Sequence, residues 1–312
     1  MSEIDRAKFI GGSDSAAVLN LFPPSWRKSE FLLYQEKIGE LIDDPTPEQR
    51  RRFARGKRLE PVVVEMMIDE LRDRGHDVQI IARNARYQDS EFPFLACELD
   101  LELVVDGEEY NGEIKTVSQF AAKDWGDQGS DEIPIYYIAQ VMHGMMIKPR
   151  RRCIVAALIG GDDLRIHQID RDEETIAGIR AKEVAFWKRV QDRNPPDPHT
   201  ADDVRWLYAK DAGTVAEADD ELMRLVGELY YLKNSAKLAE NEIDKVSTQI
   251  KLAMGDAAIL VYEGKVIATW KNNKPSQKTD WRAVVDEHRP PMSLIEHHTK
   301  TVAGNRPLLL KL

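Results

Sequence analysis

The chain has 312 residues, is 42% hydrophobic, carries a net charge of −10 and contains two cysteines. Its length admits one large domain or two smaller ones, and its apolar content can fill a core, which excludes a disordered or fibrous protein. Two cysteines exclude a disulfide framework and a four-cysteine metal or iron–sulfur site. Cys97 and Cys153 read as buried thiols, and the adjacent His297 and His298 as part of an exposed tail rather than as zinc ligands. No apolar run approaches the ~18 residues of a membrane span, so no membrane role is expected. The polar stretch from Met1 to Phe9 lacks the apolar segment of a secretory signal, and a cytoplasmic location is expected. The acidic balance argues against a generic nucleic-acid binder. Basic residues nevertheless concentrate at Arg50, Arg51, Arg52, Arg55, Lys57 and Arg58, as a backbone-binding patch or a solvated helix face.

Ile10-Gly11-Gly12-Ser13-Asp14 predicts a turn and a helix start, with Ser13 or Asp14 as the cap, and Phe22-Pro23-Pro24-Ser25 stops that helix. A second helix is predicted over Ser29 to Ile38, followed by a loop from Asp43 to Pro47. The apolar spacing from Glu48 to Asp73 predicts a long helix, kinked or divided at Pro61 and closed by Gly75. Strands are predicted at Val78 to Ala82, Phe94 to Cys97, Leu99 to Val105 and Tyr110 to Lys115, with a tight hairpin at Asp106-Gly107. A helix over Pro134 to Ile147 leads to strands at Cys153 to Ile159 and Leu164 to Ile169, joined by Gly160-Gly161-Asp162. Glu173 to Val190 reads as a helix. The segment Asn194-Pro195-Pro196-Asp197-Pro198 then marks a domain boundary, with one domain over 1–195 and another over 200–312. The second holds a long helix or helical hairpin from Glu217 to Met254 and a β-hairpin from Ala258 to Trp270. The tail from Lys271 has no definite pattern.

Chemistry concentrates between Cys97 and Lys115. Alternation puts Glu113 and Lys115 on one strand face and turns Ile114 toward the core. A hairpin at Asp106-Gly107 brings Asp100 toward Glu113. Two converging carboxylates repel unless a cation lies between them, and oxygen donors suit Mg²⁺ or Mn²⁺. Such an ion acidifies water and screens a phosphodiester, and a second ion can stabilise the leaving oxygen. Lys115 would then orient the attacking water or stabilise charge on the phosphate. Glu98 and Glu102 share the face of Asp100, where either could compete for or supplement the metal. Taken alone, the pattern is short and common, and an amphipathic hairpin with surface charges fits it better.

The ordered set of motifs is more specific. Asp100…Glu113-Ile114-Lys115 resembles the PD-(D/E)xK nuclease superfamily, and residues 6 to 190 resemble its lambda-exonuclease/YqaJ-type branch, the phage recombination nucleases. The matching motifs are Ile10-Gly11-Gly12-Ser13-Asp14, Arg55-Gly56-x-x-Leu59-Glu60-Pro61, Leu99-Asp100, Gly112-Glu113-Ile114-Lys115, and Tyr137-x-x-Gln140 with His143-Gly144. Leu99 and Leu101 replace the proline and glycine usual around the aspartate, which alters the local turn and removes no ligand.

The resemblance implies an α/β restriction-endonuclease-like core, a mixed sheet flanked by helices, followed by a C-terminal helical and β-hairpin extension. It implies that Asp100, Glu113 and the main-chain carbonyl of Ile114 hold metal, with Glu60 acting through water, and that two Mg²⁺ ions are used. Lys115 would be the catalytic lysine, braced by Gln140 with Tyr137 close by. Arg6 and Ser13 match the pair that grips a 5′-phosphate. Arg51, Arg52, Arg55 and Arg58 would track the DNA backbone. The implied activity is 5′→3′ digestion of double-stranded DNA to leave 3′ single strands, in the host-cell cytoplasm if a phage encodes the protein. A single-strand annealing protein and a homotrimer are the implied partner and assembly. The alternatives are an endonuclease of the same superfamily and a non-catalytic DNA-binding or assembly module.

Overall fold

The computed structural model describes residues 6–23, 26, 28–41, 45–301, 304 and 306–310. The expected helix stop at Pro24-Ser25 and the loop start at Asp43 lie outside these. The chain forms two compact units, 1–207 and 208–312. The first is built on one five-stranded sheet of order β1-β2-β3-β4-β5, formed by Val78–Gln88, Ala96–Val105, Glu108–Val117, Arg152–Ile159 and Asp163–Asp170. Neighbouring strands are antiparallel except β3 and β4, which are parallel. A parallel pair needs a crossover, and helix α4, Ile135–Ile147, supplies it. The two short strands expected at Phe94 to Cys97 and Leu99 to Val105 are one strand. The predicted strand at Val78 runs on to Gln88 because β2 offers partners along its whole length, with a register shift between Ile80 and Ala82. Asp106 and Gly107 both take positive φ, 51° and 84°, as a two-residue hairpin requires.

Each sheet face carries its own apolar layer. On one, α3, Pro47–Asp73, covers Leu101, Leu103, Ile114 and Ile154 through Val63, Val64, Met67 and Leu71. Burying one such aliphatic side chain contributes about 1.5–3 kcal/mol, enough to carry α3 through Pro61 as a single helix where two were an alternative. Thr46 caps it, accepting the Gln49 amide hydrogen at 3.2 Å. On the other face, α1 (Gly12–Val18), α2 (Glu30–Lys37), α4 and α5 (Glu173–Asp192) enclose Leu33, Met145, Val155, Ala157 and Phe186. Both cysteines are buried and free. The cap of α1 is Gly11, not Ser13 or Asp14; the Asp14 carboxylate accepts from the Gly11 N–H at 3.1 Å.

The first unit continues past the proline-rich segment to Leu207. Helix α6, Ala201–Leu207, is tied to it by buried Asp203, which accepts from Ser29 Oγ at 2.5 Å. Trp206 also packs edge-on to Phe31, with ring centroids 5.7 Å apart. In the second unit α7, Asp220–Met254, is one 35-residue helix rather than a helical hairpin. Strands β6 (Ile259–Tyr262) and β7 (Lys265–Thr269) form the expected hairpin. The tail contains two short helices, α8 (Trp281–His288) and α9 (Met292–His298). His297 and His298 are exposed on the last of these. Among the described residues no helix is long and apolar enough to cross a membrane.

Candidate active site

The candidate site forms where β2 and β3 part. Their ladder runs from Val105↔Glu108 to Leu101↔Gly112. Beyond it, the Ile114 amide donates to Asp100 Oδ2 at 2.9 Å, so a side-chain carboxylate takes a bond that a continuing ladder would give to a backbone carbonyl. Gly112 permits the close approach, because a Cβ there would stand 2.9 Å from Leu101 Cβ. Ile114 points into the α3 layer, while Asp100, Glu113 and Lys115 lie on the opposite face by alternation.

Helix α4 completes this cluster. Lys115 Nζ donates to Glu113 Oε1 at 2.5 Å and to Gln140 Oε1 at 3.1 Å. Gln140 Nε2 donates to the same Glu113 oxygen at 2.6 Å. One turn earlier on α4, the Tyr137 ring lies 4.6 Å from Lys115 Nζ and packs on Trp125 and Tyr136. Burial and the Glu113 carboxylate push Asp100 up to about 8, with Glu60 adding to the rise. Burial alone would lower Lys115, but Glu113, then Tyr137 and Asp100, hold its pKa above that of an ordinary lysine. Burial raises the Tyr137 hydroxyl, and the Arg52 charge acts in the opposite sense.

Helix α3 contributes along an i, i+4, i+8 stripe. Arg52 acts on Tyr137, Gly56 faces Thr116 with 3.4 Å for an added Cβ, and Glu60 acts on Asp100. Arg51, Arg55 and Arg58 are exposed on neighbouring turns. Glu98 and Glu102 are engaged elsewhere. Arg86 Nε donates to Glu98 at 2.5 Å, and Glu102 is buried against Tyr87, Arg150 and Lys148. Among the described residues no group of three or more His, Cys, Asp or Glu side chains is gathered as a metal cage.

Arg6 and Ser13 are brought together beside this cluster. The Arg6 guanidinium donates to Ser13 Oγ at 2.7 Å and to Asp14 Oδ1 at 3.2 Å. Gly12, next to Ser13, abuts Gln140: a Cβ on Gly12 would lie 3.2 Å from Gln140 Cγ. Two supports of this corner were missed in the sequence. Lys37 is buried on α2 and donates to the carbonyls of Arg6 and Phe9 at 2.8 and 2.6 Å and to Asp14 at 2.8 Å. Burial alone would raise the Asp14 carboxyl, but Lys37, Lys28 and Arg6 hold it well below the usual carboxylate range. His143, one turn after Gln140, is fully buried, pairs with Glu183 of α5 at 2.9 Å and meets the Ala96 carbonyl at 2.9 Å. Asp14 lies within a quoted motif, whereas Lys37 and Glu183 stand in ordinary helical runs with no local signal.

The sequence profile of the YqaJ-like viral recombinase domain matches residues 3–150. The chain is 30% identical over 276 residues to "Uncharacterized protein YqaJ" of Bacillus subtilis (strain 168), spanning 86% of this chain and 82% of that protein. Among solved structures it resembles an alkaline exonuclease (LHK-Exo) from Laribacter hongkongensis, at 18% identity and a TM-score of 0.43, over 61% of this chain and 91% of that one. The complex of LHK-Exo with dAMP gives the same values. The chain belongs to the YqaJ-like viral recombinase family.

Proposed function

We propose that this protein is a magnesium-dependent 5′→3′ exonuclease of double-stranded DNA that leaves 3′ single strands for recombination by single-strand annealing. The observation that carries this reading is the Glu113–Lys115–Gln140 cluster, joined to Asp100 through the Ile114 amide and standing beside the Arg6–Ser13 pair. The chemistry belongs to the nuclease core over residues 1–195; α6 still packs on that core, so the extension outside it begins at Tyr208. A single-strand annealing protein would take over the 3′ strand, and a ring of three copies around the duplex is the assembly that family resemblance implies.

The donor set suits a hard divalent cation. Burial and the Glu113 carboxylate raise the cost of ionising Asp100, and Mg²⁺ takes one or two carboxylates and keeps its remaining positions for water and phosphate. Asp100, Glu113 and the Ile114 carbonyl would hold it, with Glu60 reached through water; Mn²⁺ has the same oxygen preference, and two ions are expected. When bound, the metal supplies charge neutralisation for the phosphodiester and acidifies water. Lys115 orients the attacking water and stabilises charge on the phosphate as the water oxygen–phosphorus bond forms and the phosphorus–3′-oxygen bond breaks. Gln140 fixes Lys115 and Glu113 relative to each other, and Tyr137 walls the ammonium with its ring. Arg6 and Ser13 grip the 5′-phosphate by a guanidinium fork and a hydroxyl. Arg51, Arg52, Arg55 and Arg58 hold the duplex backbone.

The test is digestion of linear duplex DNA labelled at either end, with or without 5′-phosphate, in Mg²⁺ or EDTA. A covalently closed circle and the Lys115→Ala variant serve as controls. Mg²⁺-dependent release of the 5′ label, faster with a 5′-phosphate, is expected, with an intact circle and an inert variant. Removing one such transition-state contact costs about 10²–10³-fold in kcat. Cutting of the circle would replace this reading with an endonuclease, and DNA binding without cleavage would replace it with a binding module.

A further inference from the structure

Helix α7 carries a strict heptad. From Leu222, alternating steps of three and four residues reach Leu225, Leu229 and Leu232, then Ala236 and Ala239, then Ile243, Val246, Ile250 and Ala253. No a or d position of this seam is polar over more than four heptads, and a 3.5-residue repeat sustained that long is the signature of a supercoil between helices. Among the described residues much of it stays uncovered: Leu222 and Leu225 are 46% and 48% exposed, and Ile243 and Val246 are 62% and 52% exposed. A helix with an uncovered apolar stripe takes its stability from a partner that buries the stripe.

The flanking charges select the partner and its direction. In a parallel, in-register pairing with a second copy, each g residue faces the e residue five positions on. Glu228 then faces Lys233, Ser235 faces Glu240, and Glu242 faces Ser247: one attraction on each side and no repulsion. An antiparallel pairing of the same layers sets Glu228 against Glu242 and Glu240 against its own copy, all like charges. Within one chain the exposed Arg224 pairs with Glu228 at 3.3 Å, and the Glu228 carboxylate stays on the flank of the seam. The small Ala236 and Ala239 let neighbouring helices approach closely at mid-length.

We propose that α7 joins copies of this protein in a parallel, in-register coiled coil. The inference is independent of the nuclease reading.

Light scattering on the full chain at micromolar concentration should give the mass of two or three chains. Leu225→Cys should form an interchain disulfide on oxidation, since Cys97 and Cys153 are buried and do not compete. The double variant Leu225→Asp/Ile243→Asp should fall to the mass of one chain. Leu238→Asp, off the seam and 66% exposed in the single chain, should leave assembly intact. Because two aspartates could unfold α7, a charge swap provides a second arm. Glu228→Lys should weaken association about threefold, and adding Lys233→Glu should restore it. A wild-type chain that stays single would overturn the proposal. So would assembly that survives the double aspartate variant with the helix intact, or a Leu225→Cys chain that cross-links only to an Ile250→Cys chain.

Discussion

Lys115 and Gln140 are 25 residues apart in sequence, yet both bond Glu113 or one another. Such a shared acceptor leaves little rotational freedom, which suits a site that must hold a reacting phosphate in one geometry. Asp100 stands apart, because its negative charge is opposed by burial and by Glu113 and offset only in part by Lys115 and the Ile114 amide. That tension yields a prediction. Asn at position 100 keeps an oxygen for the Ile114 amide and removes the buried charge. In EDTA, Asp100→Asn should therefore raise the thermal midpoint, by about 2–4 °C per kcal/mol relieved, while abolishing Mg²⁺-dependent cleavage. Differential scanning fluorimetry beside the nuclease assay checks both, and a lowered midpoint would refute the repulsion.

Helix α4 is the element that turns these residues into a site. It meets α1 through Gly12, β2 through Gly144, where an added Cβ would come within 3.3 Å of Leu99, and α5 through the His143–Glu183 pair. Burial opposes a charge on His143, but Glu183 and the Ala96 carbonyl overrule it and raise its pKa above 6.5. The sign of the linkage follows. Stability from this pair is complete below the unfolded value of 6.5 and is lost as pH rises through the higher folded value. Thermal midpoints should decline as pH rises above 6.5, and His143→Gln should flatten that decline while lowering stability at pH 6. An unchanged slope in the variant would show that another group is responsible. His143 is part of the Tyr137-x-x-Gln140 motif and can be marked from sequence. Glu183 cannot, because a single glutamate in an amphipathic helix looks the same whether it faces solvent or a buried imidazole.

At the scale of the whole molecule, a net charge of −10 coexists with an exposed arginine ladder on α3. Its role as a DNA-backbone track is testable through counterion release, which contributes about 0.9 to the salt slope per phosphate neutralised on duplex DNA. Binding of duplex DNA by the Arg51→Ala/Arg55→Ala/Arg58→Ala variant, measured in Ca²⁺ to suppress cleavage, should show a log–log salt slope smaller by about 2–3. A slope equal to that of the parent chain would move the track elsewhere on the surface.

Much of this protein was legible before folding. Hydrophobic period and turn residues placed the strands around Asp106-Gly107 and the crossover helix from Pro134, and marked Glu217 to Met254 as a long helix or helical hairpin, because those signals are local and repeat within a few residues. The ordered motifs carried the family and the candidate residues. The tertiary structure alone decided that Pro61 sits within one helix, that β1 extends to Gln88, and that α6 folds back onto Ser29 and Phe31 past the proline-rich segment. It also decided which acids stay available. Glu98, Asp100 and Glu102 alternate identically along one strand, yet Arg86 takes the first, and Arg150, Lys148 and Tyr87 take the third. The physical reason is the same in each case. A local pattern sets which face a side chain occupies, whereas its partner, and hence its charge and freedom, comes from distant elements that meet it only in the packed fold.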